Sequence, residues 1–250
     1  MEDKYTIEFN KLTKTFGDHT VLNGLDFKIH EGKITTILGF SGAGKSTLLK
    51  HILGIHHPTS GQVKVLGQDL KDLGDSQMRE FRTNFGMVFQ YSALFDSMSN
   101  FENVAFPMRE FTKKSNKQIT EDVLSLMAQV GLDDHAWHKL PSEISGGMRK
   151  RVGLARGLAL QPKVMLYDEP TTGLDPITTH MVDNLIRRTH KNGESLPMTS
   201  VIISHDIAAT LRLSDYIAFL ELGQVVEHSS VEDFKKSDNP TIKRFLELSS

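Results

Sequence analysis

One stretch constrains this chain more than any other: Gly39-Phe40-Ser41-Gly42-Ala43-Gly44-Lys45-Ser46-Thr47, set directly after the apolar, β-branched run of residues 34–38. Glycines let the backbone turn so tightly that successive N–H groups face one concavity, and a helix over residues 46–53 adds the positive end of its dipole. This is the spacing of a phosphate-binding loop. Lys45 is placed to reach the β- and γ-phosphates of a nucleotide, and the Ser46 hydroxyl to ligate the Mg²⁺ that bridges them. Strand, loop and helix come in the order that such a loop requires, which speaks against a merely flexible turn before a helix.

A chain of 250 residues can build a full core, as one large α/β domain or a domain with an inserted lobe. Its 29 basic and 31 acidic side chains nearly cancel and no five like charges run together, which speaks against a nucleic-acid surface. The absence of cysteine excludes disulfides and thiolate metal sites and suits a reducing compartment, so a cytoplasmic location is expected. The start, Met1-Glu2-Asp3-Lys4-Tyr5, is charged and lacks an apolar leader, and there is no apolar run of about 18 residues. The chain is not expected to cross a membrane by itself.

Residues 5–38 read as three strands, an antiparallel edge feeding a buried strand that leads into the loop. Phe16 sits in a polar Thr-Phe-Gly-Asp turn, where a ring is unexpected unless it covers something flat; an adenine platform and a core residue closing the sheet edge are the two readings. Residues 62–66 and 85–89 make further strands, the second ending at Gln90. From residue 90 to 140 no strand is evident, and one amphipathic helix carries Ile119, Val123, Leu126, Met127 and Val130, which implies an inserted helical lobe. Tyr91, Leu94, Phe95, Met98, Phe101, Val104, Phe106 and Met108 crowd a span without a period long enough to bury them all. His51, His56 and His57, without carboxylate or cysteine neighbours in sequence, read as surface histidines.

Ser145 then caps a long helix whose first turn holds both Gly146 and Gly147. Each glycine weakens a helix by about 1 kcal/mol, so something must approach that backbone closely. An exposed helix start with small residues is a second anion site. An apolar strand over residues 164–167 delivers Asp168 and Glu169 at its carboxyl end, where open α/β sheets bind ligands. Strand alternation would turn Asp168 toward Mg²⁺ and Glu169 toward an attacking water. Asp175 precedes the next helix, and His205 also leaves the carboxyl end of a strand. Residues 216–227 form a hairpin across Leu222-Gly223, and two short helices end the chain, Pro240 in a first turn.

Phosphate loop, Gln90, Ile144-Ser145-Gly146-Gly147-Met148, Asp168-Glu169 and His205, in that order, resemble the ATP-binding cassette of ABC transporters over about residues 5–228. The resemblance implies a P-loop NTPase of ABC type: a mostly parallel core sheet with flanking helices, an antiparallel β edge and an inserted α-helical lobe. It further implies one domain over residues 1–250, with a RecA-like core (1–90 and 160–228), a lobe (about 91–159) and a helical tail (229–250). By resemblance ATP is held by Phe16 (adenine), Gly39, Phe40, Ser41, Gly42, Ala43, Gly44, Lys45, Ser46, Thr47, Gln90, Ser145, Gly146, Gly147, Met148, Asp175 and His205. Mg²⁺ falls to Ser46, Gln90 and Asp168, and catalysis to Glu169, His205, Lys45 and Gln90. Ile144 departs from the usual leucine but stays apolar.

Residues 90–110 are similar to the ATPase subunits of Mla-type transporters, which move phospholipid between bacterial membranes together with an MCE-domain protein. This implies a head-to-tail second copy, integral membrane permease subunits and an MCE-domain partner, with the chain peripheral on the inner face of the membrane. ABC ATPases for another substrate, and soluble ABC-type ATPases of cofactor assembly, are the alternatives. A small GTPase would need an Asn-Lys-x-Asp motif, which is absent, and has no use for Ser-Gly-Gly. Replacing Lys45 by Ala removes the cation that offsets β/γ-phosphate charge, and phosphate release from ATP should fall to background; near wild-type turnover would sink the loop assignment.

Overall fold

The computed structural model of the chain describes residues 4–191 and 198–247; part of the charged start (1–3) and the end of the tail (248–250) lie outside the described residues. The strands are β1 (Tyr5–Phe16), β2 (His19–His30), β3 (Ile34–Leu38), β4 (Ser60–Val65), β5 (Gln68–Asp69), β6 (Phe85–Val88), β7 (Val164–Asp168), β8 (Thr199–Ser204), β9 (Tyr216–Glu221) and β10 (Gln224–Ser230). The helices are α1 (Lys45–Ile52), α2 (Asp75–Phe81), α3 (Asn100–Phe111), α4 (Asn116–Gln129), α5 (Asp134–Trp137), α6 (Gly146–Leu158), α7 (Pro176–Lys191), α8 (Ile207–Leu213), α9 (Val231–Phe234) and α10 (Pro240–Glu247). They divide between two compact units, Met1–Arg82 with Thr199–Ser250, and Thr83–Met198.

In the first unit β2, β1, β4 and β5 form an antiparallel sheet in that order. Its alternation is the expected one: Ile7 and Phe9 point inward from β1, and Phe9 stacks on its cross-strand partner Phe27 with ring centres 4.8 Å apart. The neighbouring strands β10, β9, β3 and β8 behave differently. β3 runs parallel to both β9 and β8, and every residue of β3 and β8 is buried, which is why both read as continuous runs with no alternation. Leu38 is in register with Ser204. The loop after β3 and the turn carrying His205 therefore leave adjacent strands, about 5 Å apart, at the same end. β9 and β10 join through Leu222 and Gly223, both at positive φ (46° and 76°), as a two-residue hairpin requires.

In the second unit β6 and β7 are parallel, with Val88 opposite Tyr167. The span between residues 90 and 140 holds more helix than its periodicity revealed. α3 forms there despite Pro107, because Ser99 and Glu102 make a reciprocal capping box: the Glu102 N–H donates to Ser99 Oγ (3.2 Å) and the Ser99 N–H to Glu102 Oε2 (2.9 Å). Buried Asn103 folds the preceding loop by donating to the carbonyls of Phe95, Met98 and Ser99 and accepting from the Phe95 N–H. Val104 and Met108 are thereby core residues, whereas Tyr91 and Phe95 stay 85% and 42% exposed.

His51 is corrected by the structure. It is fully buried, its Nδ1 donates to the Thr47 carbonyl one helical turn back, and its Nε2 has no hydrogen-bond partner. Burial pulls its imidazole below the ordinary value, so the ring serves α1 as a neutral core residue. His56 is half-buried and only His57 is exposed. A histidine on the inward stripe of an amphipathic helix is indistinguishable by composition from one on the outward stripe; its position three residues after buried Leu48 is the signal that was available.

Candidate functional site

The first unit carries the phosphate loop. Gly39 begins it under steric compulsion, since a Cβ there would lie 2.2 Å from the Leu220 carbonyl oxygen of β9. At the other end Gly44 caps α1 at φ 104°. Between them the Lys45 ammonium, on a residue only 8% exposed, curls back to donate to the carbonyls of Gly39 (2.7 Å) and Phe40 (2.9 Å). Phosphate oxygens can take the place of these carbonyls, being stronger acceptors for the same three donors. Ser41 and Gly42 line the exposed side of the loop, Ala43 closes it through its N–H to the Phe40 carbonyl, and Ser46 and Thr47 continue into the first turn of α1.

His205 is exposed at the end of β8. Its turn is stiff: the Asp206 N–H donates to Ser204 Oγ (2.9 Å), and Asp206 Oδ1 caps α8 at the Ala209 N–H (3.0 Å). Phe16 ends β1 45% exposed, with the Lys14 ammonium 4.9 Å over its ring and the His56 ring edge-on at 5.3 Å. It is thus a surface ring and not a core residue closing the sheet.

The second unit carries the carboxylates. Since Val88 and Tyr167 are in register, Gln90 and Asp168-Glu169 emerge from β6 and β7 at the same end. Glu169 is not part of the strand. It lies in the left-handed region at φ 49°, and its carboxylate accepts from Thr172 Oγ1 (3.1 Å). Glu169 therefore lies past the reach of simple strand alternation; strain of about 1–3 kcal/mol of this kind concentrates at functional sites.

Ser145 is exposed and caps α6, its Oγ accepting from the Met148 N–H at 3.2 Å. The two glycines after it have different reasons. A Cβ on Gly147 would meet Thr178 Cγ2 of α7 at 2.5 Å, whereas at Gly146 the nearest atom, Arg149 Nη2, is at an ordinary 3.7 Å. Intrachain packing explains the second glycine and leaves the first open to an approach from outside. Asp175 is occupied locally: Oδ1 accepts from the Ile177 and Thr178 N–H groups, each at 3.0 Å, and Oδ2 from the Thr178 hydroxyl. That hydroxyl, first among the local donors, holds its carboxyl below the usual range.

Two residues of α6 belong to this site although the sequence reading passed them over. Lys150 is 6% exposed and donates to the Gln90 carbonyl; burial lowers its ammonium to about 8, against the opposing pull of Asp168 and Glu169. Arg156 donates from Nη2 to Ser92 (2.9 Å) and from Nη1 to Ala93 (2.8 Å), both at positive φ, and its guanidinium lies over Phe95 at 5.9 Å. The segment after Gln90 is therefore strapped to the helix that Ser145 begins. Lys150 stands inside the basic run Arg149-Lys150-Arg151; its spacing of three and four residues from buried Gly153 and Leu154 marks it as inward.

A sequence model described as ABC transporter matches residues 22–172. The intermembrane phospholipid transport system ATP-binding protein MlaF of Haemophilus influenzae is 40% identical over 240 residues, 96% of this chain and 89% of that one. The probable ribonucleotide transport ATP-binding protein mkl of Mycobacterium tuberculosis is 39% identical over 96% of this chain and 66% of its own length. Among solved structures, the dimeric post-hydrolysis state of the cassette MJ0796 bound to ADP and Pi superposes with a TM-score of 0.80 at 29% identity, over 90% of this chain and 98% of that one.

Lys150→Met keeps the length of the side chain and removes its charge. Steady-state ATPase assays should show kcat reduced about ten- to a hundredfold, the scale of a misplaced catalytic group, with KM for ATP little changed and with Lys150→Arg retaining most activity. Equal kcat in Lys150→Met and wild type would remove Lys150 from the site.

Proposed function

The chain belongs to the ABC transporter family and is an ATPase, and from that premise we propose that it is the motor of a phospholipid transporter, acting as a head-to-tail pair on a separate permease. We place it in the cytoplasm, peripheral on the inner face of the membrane through that permease, and propose an MCE-domain protein as a further partner. No helix among the described residues is long and apolar enough to span a membrane, so a motor of this kind needs partner subunits to act across one. We assign residues 1–90 and 160–228 to the RecA-like core, 91–159 to the helical lobe and 229–250 to the tail.

The observation that carries the paired arrangement is the start of α6, with Ser145 exposed and Gly146 half-buried but sterically open. Its N–H groups suit the γ-phosphate of a nucleotide held in the loop of a second copy, so that each copy completes the other's site. In this reading Phe16 stacks on adenine, residues 39–47 wrap the phosphates, Lys45 offsets their charge, Glu169 takes the proton of the attacking water, His205 contacts the γ-phosphate, and Met148 and Asp175 line the facing surface. The Ser46 hydroxyl, Gln90 amide oxygen and Asp168 carboxylate are oxygen donors of the kind Mg²⁺ takes, and among the described residues no cluster of His, Cys, Asp or Glu would hold a metal unaided. The ion would be shared with the substrate's phosphates, whose negative charge it neutralises.

Phospholipid as the cargo is supported by the likeness to MlaF at nearly full length and by the Mla-like residues 90–110. The comparable likeness to mkl, named for ribonucleotide transport, favours a second reading in which the same motor serves another cargo. The lipid or solute held by the membrane subunits that co-purify with the chain decides between them. Docking of a permease helix is assigned to the exposed rings of Tyr91 and Phe95, beside Gln90.

Two measurements test this scheme. Glu169→Gln should bind ATP without turning it over, so that ATP doubles the mass of the variant in light scattering; rapid turnover, or a mass indifferent to ATP with the permease present, would refute the assignment. Tyr91→Glu and Phe95→Glu should stay soluble and hydrolyse ATP alone while losing the membrane subunits on co-purification. Full lipid transport by these variants would move the docking surface elsewhere.

A further inference from the structure

The phosphate loop rests on an aromatic contact that none of the nucleotide-binding motifs includes. Phe40, second in the loop, is 46% exposed, yet its ring stands nearly perpendicular to that of Phe245 on α10, with centres 5.0 Å apart at 83°, and to that of Phe219 on β9, at 6.1 Å and 88°. Phe219 and Phe245 close the triangle at 5.2 Å and 74°. These are edge-to-face geometries, in which the positive rim of one ring addresses the negative face of another and fixes orientation as well as distance. The triangle is seated on a core cluster that includes Leu38, the last residue before the loop, together with Ile207, Phe234 and Ile242. Residues on α10 thus reach both the strand that feeds the loop and a side chain within it.

We infer that Phe245 is a positioning residue for nucleotide binding, acting through Phe40 on the phosphate loop. The link runs through the Phe40 peptide. Its carbonyl accepts from Lys45 Nζ (2.9 Å) and from the Ala43 N–H (3.3 Å), so the direction in which that carbonyl points sets where the ammonium waits and how the loop closes. A half-exposed ring with no neighbour would let this peptide rotate, and the rotational freedom would have to be given up when phosphate oxygens displace the carbonyls from Lys45. The Phe245 ring removes that freedom beforehand, and affinity gains what ordering would otherwise cost. The tail helix is in this sense part of the ATP site without touching ATP.

The inference rests on residues 39–47 being the phosphate loop, and the experiment separates the two. Binding of a fluorescent ATP analogue with Mg²⁺ is titrated on the full chain for wild type, Phe40→Ala, Phe245→Ala, the double variant and Lys45→Ala. Phe40→Ala and Phe245→Ala should each weaken binding about three- to tenfold, the scale of one aromatic pair, and the double variant should be no weaker than either alone. Phe245→Leu keeps the apolar contact with the core but loses the ring edge; it covers the case in which Phe245→Ala does not fold, and should show the same weakening with a melting temperature near wild type. Wild-type affinity in Phe245→Leu, or a double variant whose loss is the product of the two single losses, would overturn the inference while leaving the loop assignment intact. Unchanged binding in Lys45→Ala would overturn the loop assignment and this inference with it.

Discussion

A buried ammonium group must be surrounded by oxygen, because removing a charge from water without replacing its solvation costs several kcal/mol. Two lysines impose that requirement here, and the loops around them fold accordingly. Lys45 bends the phosphate loop until the carbonyls of Gly39 and Phe40 face it; Lys150 holds the Gln90 carbonyl and faces Asp168 and Glu169. In each case main-chain carbonyls solvate the ammonium, and a carbonyl has one position for a given backbone trace. Carbonyl dipoles fix where each cation sits without cancelling its charge.

Much of this was legible because glycine, lysine and carboxylate spacing reports on backbone events within a few residues. The loop at Gly39, the cap at Ser145 and the hairpin at Leu222-Gly223 are local in this sense, and the structure has each where the sequence puts it. Fully buried strands announced themselves by length and β-branching. What failed to show was the facing of single side chains. His51 and Lys150 are polar residues on inward stripes, and composition alone assigns such residues to solvent. α3 escaped because Pro107 and crowded aromatics mask its period, although the Ser99–Glu102 capping box was there to be read. The left-handed turn at Glu169 could not be inferred, since nothing short of the surrounding fold makes a glutamate adopt it.

Distance in sequence also concealed what the tail does. Phe245 lies 205 positions after Phe40, and no local rule connects them. They meet because β9 runs parallel to β3 beside the loop and α9 and α10 return over the same end of the strand. Such a contact is topological in origin, so it becomes visible only when the connection order of the strands is known.

The straps of Arg156 and Lys150 have a consequence of a different kind. They fasten the backbone after Gln90 to the same helix whose first turn holds Ser145. Whatever a ligand at one end of that helix does to affinity at the other end, a ligand there does to it by the same factor, since coupling between sites is reciprocal. Small molecules that recognise the exposed rings of Tyr91 and Phe95 would accordingly be felt at Ser145, at the opposite end of the same helix.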